Sequence, residues 1–160
     1  MLNDWLLSQL PAYNMSTPIF IIVWAATLLT MIRVYQYPAV CVTFLWSYVF
    51  LNTVRVIIIS MVALEPPPGL VLLRDPIINT VYGLQDITKD LFYSGHTSTL
   101  FLMFLCLHSK MDKALMLTAA IVVGFLLLIQ HAHYTIDVLA APVFSYLMYR
   151  FTKKVMPVRA

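Results

Sequence analysis

Apolar residues fill five long stretches of the chain, and polar residues and prolines collect between them. The first stretch runs from about Thr17 to Val34, with Pro18 placed where an opening helical turn tolerates proline. Pro38 punctuates, and a second stretch goes from about Ala39 to Leu64 before Pro66, Pro67, Pro68 and Gly69 end it. Leu70–Lys89 is mixed, holds Arg74, Asp75 and Asp86, and reads as a loop with a short surface helix. The third stretch spans Ser94–His108, the fourth Ala114–Gln130 and the fifth about Thr135–Tyr149. The polar residues Ser109–Lys113 and a tight turn through His131–His133 separate them. About 20 largely apolar residues carry a helix across the hydrocarbon. The pattern therefore predicts an all-α, polytopic transmembrane helical bundle of about five spans, with residues 1–160 as a single domain. Met1–Leu10 is too short to cross and is expected as an N-terminal interfacial segment, with Trp5 at headgroup depth.

Composition agrees with a bilayer. Hydrophobic residues make up 61% and charged residues 11% of the chain, against about 45–50% and 25% in soluble domains. The net charge of +3 forms no basic patch interleaved with aromatics, so nucleic acid is excluded as a partner. Cys41 and Cys106 both lie inside apolar stretches and read as buried thiols. The chain start holds Asp4 and no Lys or Arg before its apolar residues, unlike the basic start of a cleavable signal peptide.

The charges are sorted by side. With five spans, one side receives Arg33, Lys110, Lys113, Arg150, Lys153, Lys154 and Arg159, and of the acids only Asp112. The other side receives Asp4, Glu65, Asp75, Asp86 and Asp90. Because the Lys/Arg bias sets topology, the acidic side is expected to face away from the cytoplasm.

Two polar segments fall on that acidic side, at the ends of stretches. Asp90-Leu-Phe-Tyr-Ser-Gly-His96-Thr97 opens the third, and His131-Ala-His133-Tyr-Thr-Ile-Asp137-Val joins the fourth to the fifth. His133 and Asp137 are four apart and share a helix face. A carboxylate there accepts one ring N–H, fixes the tautomer and frees the other nitrogen to attack phosphorus. His96 is then the expected general acid and base. Ser94 is a helix-cap candidate, and Gly95 leaves open backbone where helix-start N–H groups bind phosphate oxygens. A carboxylate inside a span costs roughly 2.5–3.5 kcal/mol on the mildest scale, so Asp137 must be paired or near water.

A transferring phosphoryl group also needs cations, for which Arg55, Arg74 and Lys89 are the candidates, with Asn52 one turn before Arg55 as its partner. Arg55 lies about ten residues inside the second stretch, roughly 15 Å below Glu65 at helical rise. Asp90 and His131 complete the set of expected substrate contacts. Tyr93 and Tyr134 read as interfacial aromatics. His96, His131, His133 and Asp137 are alternatively four ligands for zinc.

Ser94-Gly95-His96 followed by His133-x-x-x-Asp137 resembles the second and third motifs of the type-2 phosphatidic acid phosphatase superfamily. The longer matches Asp90-Leu-Phe-Tyr-Ser-Gly-His-Thr and His133-Tyr-Thr-Ile-Asp137-Val are similar to the two signature motifs of its sphingomyelin synthase branch. The segment from Arg55 to Glu65-Pro-Pro-Pro-Gly69 also resembles that branch, so the likeness covers roughly residues 50–145. The resemblance implies a helical membrane fold with a metal-independent site on the outer or luminal face, acting on ceramide-like or diacylglycerol-based lipids. It implies His133 as nucleophile, Asp137 as its orienter and His96 as acid and base. The chain departs from the superfamily in lacking its basic first motif, and Leu127 stands where an arginine precedes the nucleophile by six residues.

The expected function is a membrane lipid phosphotransferase that passes a phosphorylated headgroup from a phospholipid to a lipid hydroxyl, with no cofactor and no metal. Two alternatives stay open: a lipid phosphatase with water as acceptor, and a non-enzymatic metal-binding membrane protein. The expected partners are lipid substrates in the bilayer, and a homo-oligomer is compatible with the sequence.

Overall fold

The computed structural model describes residues 3–61, 65–75 and 92–157. Asp86, Lys89 and Asp90 lie outside them, and with them most of the expected loop and the place of Asp90 at the site.

A short helix α1 (Trp5–Ser8) precedes five longer ones: α2 (Ser16–Gln36), α3 (Pro38–Met61), α4 (Gly95–Cys106), α5 (Lys110–Ile129) and α6 (Thr135–Val155). The described residues form a helical bundle of a membrane protein. Pro38 opens α3 directly after Tyr37, where its missing N–H has no intrahelical partner to lose. Asp4 caps α1 by accepting from the Leu7 amide at 3.1 Å, and Ser94 caps α4 by accepting from the Thr97 amide at 3.4 Å.

α2, α3 and α5 are long and apolar enough to cross a bilayer. Their outward faces carry Ile21, Trp24, Leu28, Met31, Leu45, Trp46, Val49, Ile57, Ile121 and Phe125, all exposed. Apolar surface this continuous marks a lipid-facing wall rather than a water-facing one. Polar side chains within these helices donate to their own backbone: Thr27 to Val23 O, Thr30 to Ala26 O, Thr43 to Ala39 O and Ser47 to Thr43 O. That is the expected solution where no water is present to bond them.

The third apolar stretch, expected over Ser94–His108, forms a shorter helix than its neighbours. Helix α4 has 12 residues, about 18 Å at helical rise, and packs on α2, α3, α5 and α6 together. Leu100, Leu102, Met103 and Cys106 are buried in the core. An apolar helix of 10–14 residues is the signature of a core element, and α4 is the axis around which the others stand. Gly124 of α5 allows this closeness, because a Cβ there would lie 2.9 Å from Val138 Cγ1 and 3.6 Å from Thr97 Oγ1.

The two ends of the bundle are fastened differently. At one end Arg33 of α2 makes a two-point ion pair with Asp112 of α5, Nε to Oδ2 at 2.7 Å and Nη2 to Oδ1 at 3.2 Å. At the other, Gln130 after α5 holds the start of α2, Ser94 before α4 bonds Asp137 in α6, and Tyr134 before α6 bonds Glu65 beyond α3. The described parts of both motif segments lie at this second end.

Candidate active site

The first turn of α6 is built around Asp137, whose side chain is fully buried. Its Oδ2 accepts from the Tyr134 amide at 3.0 Å and lies 3.8 Å from His133 Nδ1. The carboxylate therefore both caps the helix that carries it and faces the imidazole one turn away. The 3.8 Å separation is an ion-pair distance, longer than a hydrogen bond; catalytic pairs often tighten only with substrate bound. Among the described residues Oδ1 of Asp137 has no hydrogen-bond partner. Burial on these terms needs the opposite charge nearby, as the helix position of Asp137 required.

The start of α4 reaches the same turn through the backbone. The Ser94 amide donates to the Asp137 carbonyl at 3.2 Å, so the two motifs touch through main-chain groups 43 residues apart in sequence. His96 follows in the first turn of α4. It is half-buried, and its ring stands edge-on to Phe20 of α2 with centroids 5.5 Å apart. Thr97, next in the chain, is buried with its hydroxyl unpartnered among the described residues.

Arg55 comes to this place as well. A Cβ on residue 95 would run into its guanidinium, with Cζ only 2.9 Å away, so Gly95 is the seat in which the cation rests. Tyr93 forms the floor: its ring lies 5.9 Å from Arg55 Cζ and stacks on Phe144 at 4.6 Å, and its hydroxyl donates to the Leu51 carbonyl at 2.6 Å. Arg55, placed about ten residues inside the second apolar stretch, thus meets the start of α4. Asn52 donates to the Tyr48 carbonyl at 2.8 Å, and so its amide is turned along α3.

The two tyrosines also differ from expectation. Tyr93 is fully buried, and Tyr134 nearly so, with its hydroxyl donating to the Glu65 carbonyl at 3.1 Å. Neither is exposed on the outside of the bundle. Tyr93 (φ 34°) and His131 (φ 53°) hold left-handed backbone, which costs non-glycine residues on the order of 1–3 kcal/mol and concentrates at functional sites.

His131 has a different occupation from its expected substrate contact. Its Nδ1 lies 2.8 Å from the Pro68 carbonyl and its Nε2 3.0 Å from the Leu10 carbonyl. With both nitrogens against acceptors, the ring straps the N-terminal segment and residues 65–73 onto the α5–α6 turn. This use of His131 also dissolves the four-ligand zinc arrangement, and among the described residues no three His, Cys, Asp or Glu converge as metal ligands. Arg74, the other described candidate cation, is exposed, and its amide donates to Ser16 Oγ at 3.2 Å.

Two residues of this end were not singled out by pattern. Gln130 is fully buried; its Nε2 donates to Ser16 Oγ at 2.9 Å and to the Leu72 carbonyl at 3.2 Å, while Oε1 accepts from the Met15 amide at 3.2 Å. Asp4 accepts from the Thr135 amide at 2.6 Å and the Thr135 hydroxyl at 2.9 Å, capping α6 from a distant part of the chain. Burial pushes the Asp4 carboxyl up, but the hydrogen bonds from Thr135 and Leu7 outweigh it and hold it below the ordinary carboxylate range. A glutamine closing a long apolar run was the available signal for the first; for Asp4 there was none.

A helical membrane bundle with a buried His–Asp pair, a capped Ser-Gly-His turn and an arginine at one end has the parts of an enzyme of lipid phosphate chemistry. The family model described as PAP2 superfamily C-terminal matches residues 89–155, which contain both motifs. The match supports the likeness to the type-2 phosphatidic acid phosphatase superfamily, whose members are lipid phosphatases and phosphotransferases. No curated protein and no solved structure matches it.

Proposed function

We propose that the protein is a lipid phosphotransferase of the sphingomyelin synthase-like type, working through a phosphohistidine on His133. The observation that carries this reading is the hydrogen bond from the Ser94 amide to the Asp137 carbonyl, which brings the turn bearing His96 to the turn bearing His133 and Asp137.

The donor is a phospholipid whose phosphorus faces His133. Asp137, 3.8 Å from Nδ1, keeps the proton on that nitrogen and leaves the Nε2 lone pair to attack. The N–P bond forms as the bond from phosphorus to the diacylglycerol oxygen breaks, and His96 gives its proton to the leaving oxygen. A lipid hydroxyl then enters; His96 takes its proton back as the new O–P bond forms and the N–P bond breaks. Arg55 stands against the non-bridging oxygens, where a fixed cation in a water-poor site stabilises developing charge. Asp90 belongs to the same proposed substrate contact set.

Five helices in antiparallel order are proposed to span the membrane, α4 as a short central one, with the site at the non-cytoplasmic rim. The sorting of Arg33, Lys110, Lys113, Arg150, Lys153 and Lys154 to the opposite end supports that orientation.

The test is product analysis with the purified protein, a headgroup-labelled phosphatidylcholine and ceramide. Transfer of label to ceramide is expected, with His133→Ala silent. Label released as free phosphocholine would make water the acceptor and the enzyme a hydrolase of the same bond. An active His133→Ala protein would end the covalent scheme.

A further inference from the structure

The far end of α6 carries a second cluster that the proposed reaction does not use. Tyr146, Tyr149, Arg150, Phe151, Lys153 and Lys154 line a groove of about 590 Å³, within the range of roughly 300–1,000 Å³ typical of small-molecule sites. Arg150 lies thirteen residues beyond Asp137 on the same helix, about 20 Å away at helical rise, so the groove is separate from the candidate active site.

Its charge is one-sided. After Asp137 the chain contains no Asp or Glu, and among the described residues Arg150, Lys153 and Lys154 have no ion-pair partner. Arg150 and Lys154 are four apart and Arg150 and Lys153 three apart, spacings at which like charges on a helix repel. The one acid placed at this end, Asp112, is already engaged by Arg33. The cations are also held in position: Arg150 Cζ lies 5.9 Å over the Tyr146 ring and Lys153 Nζ 5.6 Å over the Tyr149 ring. Three cations gathered without a carboxylate, beside apolar rings on a membrane helix, match an anion that carries acyl chains.

We propose that this groove binds the phosphate of an anionic phospholipid in the leaflet opposite the candidate active site. The headgroup phosphate sits between Arg150 and Lys154, with Lys153 at its edge, and the acyl chains follow the exposed faces of Tyr146 and Phe151 into the bilayer. Juxtamembrane Lys and Arg clusters recognise such headgroups by charge, and the aromatic rings add a place for the glycerol backbone at interfacial depth.

The full chain, purified in a neutral detergent, is mixed with equal phosphatidylglycerol and phosphatidylcholine of the same acyl chains, and retained lipid is counted by native mass spectrometry. Phosphatidylglycerol should be retained at least about tenfold over phosphatidylcholine. The preference should fall to near unity in R150Q/K153Q, whose exposed side chains leave the unfolding midpoint unchanged. Inorganic phosphate in excess should not displace the lipid. Equal retention of the two lipids, or a preference that survives R150Q/K153Q, overturns the proposal. So does a preference lost in R55Q instead, which would place the lipid at the other end of the bundle.

Discussion

The guanidinium of Arg55 occupies the space that any side chain on residue 95 would need, its Cζ 2.9 Å from where a Cβ would stand. An intramembrane arginine and the glycine of a Ser-Gly-His turn are thus one structural unit. Gly95→Ala must push the cation away from the start of α4, and a displacement of about 1 Å at a reacting centre can lower turnover roughly 10²-fold. We expect that loss in Gly95→Ala, with the unfolding midpoint recorded alongside. A variant that turns over at the parent rate would remove Arg55 from the phosphate.

Asp137 has two duties that substitution separates. In Asp137→Asn the side-chain oxygen can still accept from the Tyr134 amide, so the helix start survives, but the charge and tautomer control over His133 are lost. Turnover should fall on the order of 10⁴-fold, as when the orienting carboxylate of a catalytic histidine is made an amide, with little change in stability. Asp137→Ala should lose the cap too, worth about 1 kcal/mol. Steady-state rates and chemical denaturation of the two variants side by side read both effects.

Asp4 ties the N-terminal segment to α6, and its depressed carboxyl gives the tie a pH dependence. A carboxylate held below its ordinary value stabilises the fold fully above the usual Asp value of 3.8. The contribution is lost as pH falls through the lower folded value. Hydrogen-exchange protection of the Leu7 and Thr135 amides should therefore drop on acidification in the parent protein. In Asp4→Ala it should be low at every pH. Protection indifferent to the substitution would mean that the cap in trans is not formed in solution.

Gln130 joins α5 to the starts of α2 and to residues 71–72 from a fully buried position. Gln130→Leu keeps the volume and leaves the Met15 amide without its acceptor and the Leu72 carbonyl without its donor, while Ser16 Oγ keeps only the Arg74 amide. Each unsatisfied buried group costs about 1–3 kcal/mol, so a loss of about 2–4 kcal/mol in denaturant titration is expected. A variant as stable as the parent would show that these groups find other partners.

Much of the helix layout followed from the apolar stretches, because a lipid-facing helix must be apolar over its whole length. The stretches at 17–34, 39–64 and 114–130 became α2, α3 and α5 within a few residues. The cap at Ser94 was also legible, since it depends on a spacing of three residues; His133 does come near Asp137, but from the turn two residues before α6 and not from a shared helix face. The stretch at 94–108 gave a helix of only 12 residues, buried among four others, because hydropathy cannot tell lipid outside from protein on every side.

The sequence by itself determined the class of protein and the chemistry at its disposal: a bilayer bundle with two polar segments at one end, cations gathered at the other, and a histidine–carboxylate pair one helical turn apart. These are local properties, set by the solvent each stretch needs and by the 3.6-residue turn. Only the tertiary structure decided that α4 stands at the centre, that Arg55 rests on Gly95, that His131 is a strap, and that Asp4 caps a helix 131 residues away. Those relations join distant parts of the chain, and no pattern along one segment encodes which other segment will close over it.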